Sequence, residues 1–77
     1  MGNDIVTARS QLVAAERWQA TRREAWAWWR SYMQLPGGCN PTTLEAYDNA
    51  ATELRRADDD VRQCLSRIDQ LTERRAA

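Results

Sequence analysis

Apolar residues recur at alternating spacings of three and four in both halves of the chain. In the first half they are Ile5, Ala8, Leu12, Ala15, Trp26, Trp29 and Met33. In the second half they are Leu44, Tyr47, Ala51, Leu54, Val61, Leu65 and Ile68. A seven-residue repeat of this kind is typical of helices that pack along a coiled-coil seam. The pattern predicts two long helices, over about residues 4–34 and 42–74.

The segment between the two repeats, residues 35–41, has the composition of a tight loop. Pro36 disfavours helix in the residue before it, and Gly37 and Gly38 can adopt left-handed geometry. Pro41 suits the first position of a helix, and Thr42 and Glu45 have the spacing of a capping box. We therefore expect residues 1–77 to form one all-α domain, a long antiparallel two-helix hairpin that resembles a coiled coil.

A hairpin of 77 residues has little interior in which to bury side chains. Small chains hide a lower fraction of their surface than large ones, so two helices alone are marginally stable. We expect the hairpin to gain stability from association, either with itself as a homodimeric four-helix bundle or with another protein.

Three polar residues interrupt the apolar repeat, namely Gln19, Arg22 and Asp58. In an antiparallel hairpin that turns near Gly38, residue numbers that face each other add to about 76 or 77. Gln19 then faces Asp58, and Arg22 lies one turn away. We expect a buried polar cluster of these three residues that fixes the register of the two helices, with Arg22 as the partner of Asp58.

Aromatic residues are concentrated in the first predicted helix. We expect Trp18, Trp26 and Trp29 to pack in the seam, with Arg22 stacked on a neighbouring indole. Trp28 points away from the seam at 100° per residue, towards a weaker outer stripe. That stripe is a candidate dimer or partner interface, and its residues are Val6, Val13, Trp28, Arg30 and Tyr32.

The charge balance narrows the partners that we expect. The chain has 11 basic and 11 acidic residues and a formal net charge of zero. Binding to nucleic acid or to an anionic membrane needs a basic excess, so we expect a protein partner. We expect no membrane span and no secretory signal, since no long apolar run is present. These features favour a cytoplasmic protein.

The chain offers little chemistry for catalysis. It contains no His and two Cys, so neither a His-activated nucleophile nor a zinc site is expected. Cys39 lies in the predicted loop and Cys64 well along the second helix, about 30 Å apart. We expect two reduced thiols, with an intermolecular Cys39–Cys39 bridge as the alternative. The sequence predicts no enzyme, no metal and no cofactor.

A non-enzymatic protein-binding module is the function that these features favour. All 11 basic residues are Arg, which together with abundant Ala and four Trp favours a GC-rich bacterial or phage genome. Small helical proteins of such genomes are often inhibitors or adaptors that bind and block a host protein. A structural module that assembles with itself is an alternative.

A second alternative is an assembly chaperone. The second half resembles the small chaperones of type III secretion needle subunits in its Gly-Gly turn and the helix that follows. The residues that carry this resemblance are Gly37, Gly38, Leu44, Tyr47, Leu54, Ala57 and Val61. The resemblance implies a cytosolic helical hairpin whose partner is a cognate secretion subunit.

Overall fold

The chain folds as two long antiparallel α-helices joined by one short loop. The computed structural model describes residues 2–76 and the side chains of residues 4–74. Helix α1 spans Gly2–Met33 and helix α2 spans Pro41–Ala76, with residues 34–40 between them. All four helix ends lie within two residues of the positions expected from the sequence. The hairpin measures 58 × 14 × 14 Å, which confirms the predicted all-α hairpin.

Contacts between the helices establish their direction and register. Gln19 contacts Asp58, Arg22 contacts Glu53, and Trp26 contacts Tyr47. Residue numbers rise on α1 as they fall on α2, so the helices are antiparallel. The Gln19–Asp58 pair has the expected register. The same rule, by which facing residue numbers add to about 76 or 77, places Tyr47 opposite Trp29, but its aromatic contact is with Trp26, at 6.2 Å between ring centroids.

The seam of α1 follows the predicted heptad repeat along its length. Half-buried or buried residues occur at 5, 8, 12, 15, 19, 22, 26, 29 and 33, and Ala25, beside Trp26, is half-buried as well. The repeat stays in phase for the whole helix because a supercoil of two helices turns the seam with the helices. Gln19 and Arg22 therefore lie within the seam, as the sequence indicated.

The seam of α2 differs from the expected one at several positions. Its members are spaced alternately by four and three residues: Thr43, Tyr47, Ala50, Leu54, Ala57, Val61, Cys64, Ile68 and Leu71. Leu44 and Leu65, which we expected in the seam, are exposed. Each lies one position beyond a small or polar seam residue, Thr43 or Cys64. Their placement in the seam was wrong because the true seam residues are less apolar than their neighbours.

The loop is built around two glycines with different roles. Gly37 has a φ of 75°, the left-handed conformation that glycine favours at the third position of a β-turn, and it follows Pro36 in the turn from Leu35 to Gly38. Gly38 is buried against α1, and a Cβ there would lie 2.0 Å from the carbonyl oxygen of Tyr32. Its N–H donates to the carbonyl of Leu35 at 2.9 Å. The chain therefore passes so close to the last turn of α1 that only glycine fits.

A reciprocal capping box begins α2, but it uses other residues than expected. The Thr43 N–H donates to Oδ1 of Asn40, and the Asn40 N–H donates to Oγ1 of Thr43, both at 3.0 Å. The Thr43 hydroxyl also donates to the carbonyl of Gly38. Asn40 is thus the cap. Pro41 is the first helical residue, as the sequence predicted. The predicted pairing of Thr42 with Glu45 was wrong.

Candidate protein-binding surfaces

The side chains that the hairpin closes off from solvent are all small. Among the described residues, the buried apolar side chains are Ala8, Ala50 and Ala57, and Thr43 is the buried polar one. No large side chain is fully buried. Eight large apolar residues are instead exposed, namely Val6, Val13, Trp18, Trp28, Tyr32, Leu35, Leu44 and Leu65. The large residues of the seam, such as Trp26 and Leu54, stay half-buried because two helices alone cannot enclose them.

Two edges of the seam carry these exposed residues. Val6 and Val13 each follow a seam residue of α1, whereas Trp28 precedes one. They therefore lie on opposite sides of the hairpin, and the expected outer stripe is divided in two. The error came from counting 100° per residue along a straight helix, which drifts by about 20° per heptad against a supercoiled seam.

We call these sides the aliphatic flank and the aromatic flank. On the aliphatic flank lie Val6 and Val13 of α1 and Leu44 and Leu65 of α2. On the aromatic flank lie the exposed Trp18, Trp28 and Tyr32 of α1. The same flank carries the charged residues of α2 that precede the seam, namely Glu53, Asp60, Arg67 and Arg74.

An aromatic cluster dominates the loop-proximal half of the aromatic flank. The rings of Trp28 and Tyr32 stack at 5.4 Å between centroids, with 13° between their planes. Trp29 meets both edge-on, at 4.7 Å from Trp28 and 5.9 Å from Tyr32. Trp28 remains 57% exposed. The cluster holds rigid rings in place while leaving one face of Trp28 open to solvent.

Arg22 links the aromatic flank to the seam. Its guanidinium carbon lies 4.4 Å from the centre of the Trp18 ring, so the expected stacking is present. Trp18 itself is 51% exposed, and its expected place in the seam was wrong. A second stacked pair places Arg30 over Trp26 at 5.3 Å. Arg30 thus contacts a seam residue rather than Trp28.

The polar cluster of the seam is two pairs rather than one triad. Nε2 of Gln19 donates to Oδ1 of Asp58 at 2.6 Å. Nη1 of Arg22 donates to Oε2 of Glu53, also at 2.6 Å. The expected Arg22–Asp58 pairing was wrong, because Glu53 lies one turn nearer the loop on the side where Trp18 directs the guanidinium. The Arg22 side chain is 23% exposed, and its Nε is buried without a hydrogen-bond partner among the described residues.

A groove occupies the other half of the aromatic flank, near the open end of the hairpin. Its volume is about 710 Å³. The residues that line it are Ala8, Gln11, Ala15, Asp60, Gln63, Cys64, Ser66, Arg67, Gln70, Leu71 and Arg74. The groove exists because small seam residues, Ala8 and Ala15 on α1 and Cys64 on α2, leave the space between the helices unfilled. Sequence reasoning missed it, although three small residues at heptad positions were visible.

The described residues show little that could serve chemistry. Cys39 is exposed in the loop and Cys64 is half-buried in α2. Across residues 4–74, no three His, Cys, Asp or Glu side chains lie together as a metal site would require. Neither helix, over its described length, has an apolar stretch that could cross a membrane.

Comparison with protein families, curated proteins and solved structures returned no match to this chain.

Proposed function

We propose that this chain is a non-enzymatic protein-binding module that completes a helical bundle with a partner. The observation that carries this proposal is the inverted distribution of side-chain size. Among the described residues, the fully buried side chains are three alanines and a threonine, the large seam side chains are half-buried, and eight large apolar side chains stay exposed. Burying a large apolar side chain contributes about 1.5–3 kcal/mol, so the exposed ones can still contribute stabilisation in an intermolecular contact.

The chemistry of the exposed residues supports the same proposal. Trp, Tyr and Arg are the residue types enriched at the centres of protein interfaces. On the aromatic flank, Trp28 and Tyr32 stack on each other and Trp18 stacks with Arg22. Side chains that already make such contacts lose less conformational entropy on binding, which favours them as binding hot spots.

The form of the module suits an inhibitor or adaptor. A rod 58 Å long presents two flanks to one helical partner or to two partners at once. By covering a helical surface of a host protein, such a rod would block the contacts that this surface normally makes. We therefore retain the small bacterial or phage inhibitor or adaptor as the specific form of the proposal.

Site-specific photocrosslinking in cells tests the proposal. A photoreactive amino acid is placed at Trp28, on the aromatic flank, or at Leu44, on the aliphatic flank. Asp59, an exposed residue of α2, is the matched control position. We expect discrete crosslinked protein bands from at least one flank and none from Asp59. Equal, diffuse labelling at all three positions would contradict the proposal.

A further inference from the structure

The aromatic flank carries a protrusion and a depression at opposite ends of one face. The aromatic ridge, formed by Trp18, Trp28 and Tyr32, occupies the loop-proximal half. The groove of about 710 Å³ occupies the open half, centred near Gln11. Trp28 and Gln11 are separated by about 25 Å along the helix axis. A protomer therefore cannot fill its own groove with its own ridge.

We propose that the aromatic flank binds a second copy of this chain in an antiparallel two-fold dimer. This inference rests on the proposed protein-binding function and names the partner and the surface. A two-fold axis perpendicular to the rod and close to Trp18 places Trp28 and Tyr32 of each copy in the groove of the other. Such an interface uses the same patch twice, as isologous dimers do.

The charges on this flank favour the antiparallel arrangement over the parallel one. Along α2, Glu53 and Asp60 lie towards the middle, and Arg67 and Arg74 border the groove. In a parallel dimer each of these residues would meet its own copy, so like charges would be opposed. In the antiparallel dimer Arg67 and Arg74 lie far from their own copies and meet the loop-proximal half of the other copy. Glu53 and Asp60 lie at similar distances on either side of the axis and approach each other, so fewer like charges are opposed than in the parallel dimer.

That loop-proximal half suits arginine because it presents the exposed ring of Trp28, and an Arg over such a ring is attracted by about 0.5–2 kcal/mol. The groove that receives the rings has a mixed lining, in which Ala8, Ala15 and Leu71 are apolar and most other residues are polar. Arg67 and Arg74 are among those lining residues. The groove therefore supplies apolar contacts for part of each ring and cations for the outer faces.

The size of the flank is adequate for a stable dimer. One whole side of the rod, 58 Å long and 14 Å wide, has an outline of about 800 Å², which equals the typical share of one partner in a specific interface. A second copy also places this flank inside a four-helix bundle, an arrangement that encloses side chains in its core.

Solution mass by light scattering tests the proposal with variants on both flanks. Wild type is expected at twice the chain mass of 8.9 kDa at micromolar concentration. Trp28→Glu alters the ridge, and Gln11→Arg places a long cation in the groove while leaving the ridge intact. Val13→Glu is the matched control, because Val13 is 49% exposed on the aliphatic flank. We expect at least a tenfold weaker dimer for the first two variants and no change for the control.

Spin labels test the direction of the dimer. Thr7 and Thr21 are both exposed on α1 at the same heptad position. With Cys39 and Cys64 replaced by Ser, single labels at these sites report distances between copies. The antiparallel dimer predicts a short distance for Thr21→Cys and about 35 Å for Thr7→Cys. Short distances at both sites would overturn the antiparallel arrangement.

The outcomes separate this inference from the proposed function. A monomeric, helical wild type would overturn the dimer, and so would a dimer that Val13→Glu disrupts and Gln11→Arg spares. If foreign proteins still crosslink to Trp28 or Leu44 in that case, the protein-binding function stands. Circular dichroism on every variant identifies any loss of mass that comes from unfolding.

Discussion

The two halves of the hairpin share one heptad frame but fill it differently. In the loop-proximal half, the α1 seam holds Trp26, Trp29 and Met33, and the rings of Trp28 and Tyr32 lie exposed on the aromatic flank. In the open half, Ala8 and Ala15 face a region of α2 that contains Cys64, and a groove remains. The frame determines which residues face the partner helix. Side-chain size then determines whether the edge of the seam is a ridge or a groove.

The loop-proximal half also has the more constrained backbone, which allows the strongest test of the difference. Gly38→Ala would place a Cβ 2.0 Å from the Tyr32 carbonyl oxygen, so backbone must move. We expect a loss of about 3 kcal/mol in the free energy of unfolding, measured by urea denaturation. Gly37→Ala, which meets open space but needs a positive φ, should cost about 1–2 kcal/mol. Equal losses would contradict the close approach at Gly38.

The capping box allows a sharper test of how the loop-proximal half is ordered. Thr43→Val keeps the shape of a buried side chain but removes the hydroxyl that pairs with Asn40 and Gly38. We expect a loss of about 2 kcal/mol in the free energy of unfolding. Thr42→Val is the control, and its exposed side chain should cost less than about 0.5 kcal/mol. The reverse order would restore Thr42 as the capping residue.

The polar side chains between the two halves include two carboxylates, Glu53 and Asp58. We expect their removal to lower the free energy of unfolding by different amounts. Glu53→Gln leaves the half-buried Arg22 guanidinium without its anion, and we expect a loss of about 1–2 kcal/mol. Asp58→Asn removes only the charge from a hydrogen bond to Gln19 and should cost about 1 kcal/mol or less. Chemical denaturation of both variants beside wild type measures the difference. A larger loss for Asp58→Asn would mean that Asp58, not Glu53, supports Arg22.

A larger side chain in the groove should make the open half of the hairpin more fully packed and so more like the loop-proximal half. Cys64→Leu adds apolar volume to a half-buried position that borders the groove. We expect the monomer to gain about 0.5–1 kcal/mol, because cavity filling stabilises by this amount. The same change should weaken the dimer, since the ridge of the second copy loses space. Unfolding measured at high dilution, together with solution mass, separates the two effects.

The sequence was sufficient to predict the hairpin and its heptad repeat, but it was not sufficient to predict which side chains lie beside the seam. The heptad spacing in α1 predicted both the hairpin and the place of Gln19 opposite Asp58. The α2 seam was misread because Thr43, Ala50, Ala57 and Cys64 carry a weak apolar signal beside Leu44 and Leu65. The true seam could have been found from its spacing, because its positions are separated alternately by four and three residues from residue 43 to residue 71.

The candidate surfaces were harder to predict than the seam, for a geometric reason. The position of Trp28 relative to Val13 depends on supercoiling, which changes its angle by tens of degrees over two heptads. The partner of Arg22 depends on which indole it stacks against, and the sequence offers both Trp18 and Trp26 at a spacing of four. Such details follow from three-dimensional packing rather than from spacing.

The central claim is that the hairpin closes too little of its own core and completes it by association. Thermal unfolding of wild type over a hundredfold range of concentration tests this claim most directly, with helix content as the signal. We predict that Tm rises steadily with concentration, since association stabilises the folded state by mass action. A high Tm that does not change with concentration would show that the isolated hairpin is complete, and it would contradict the account.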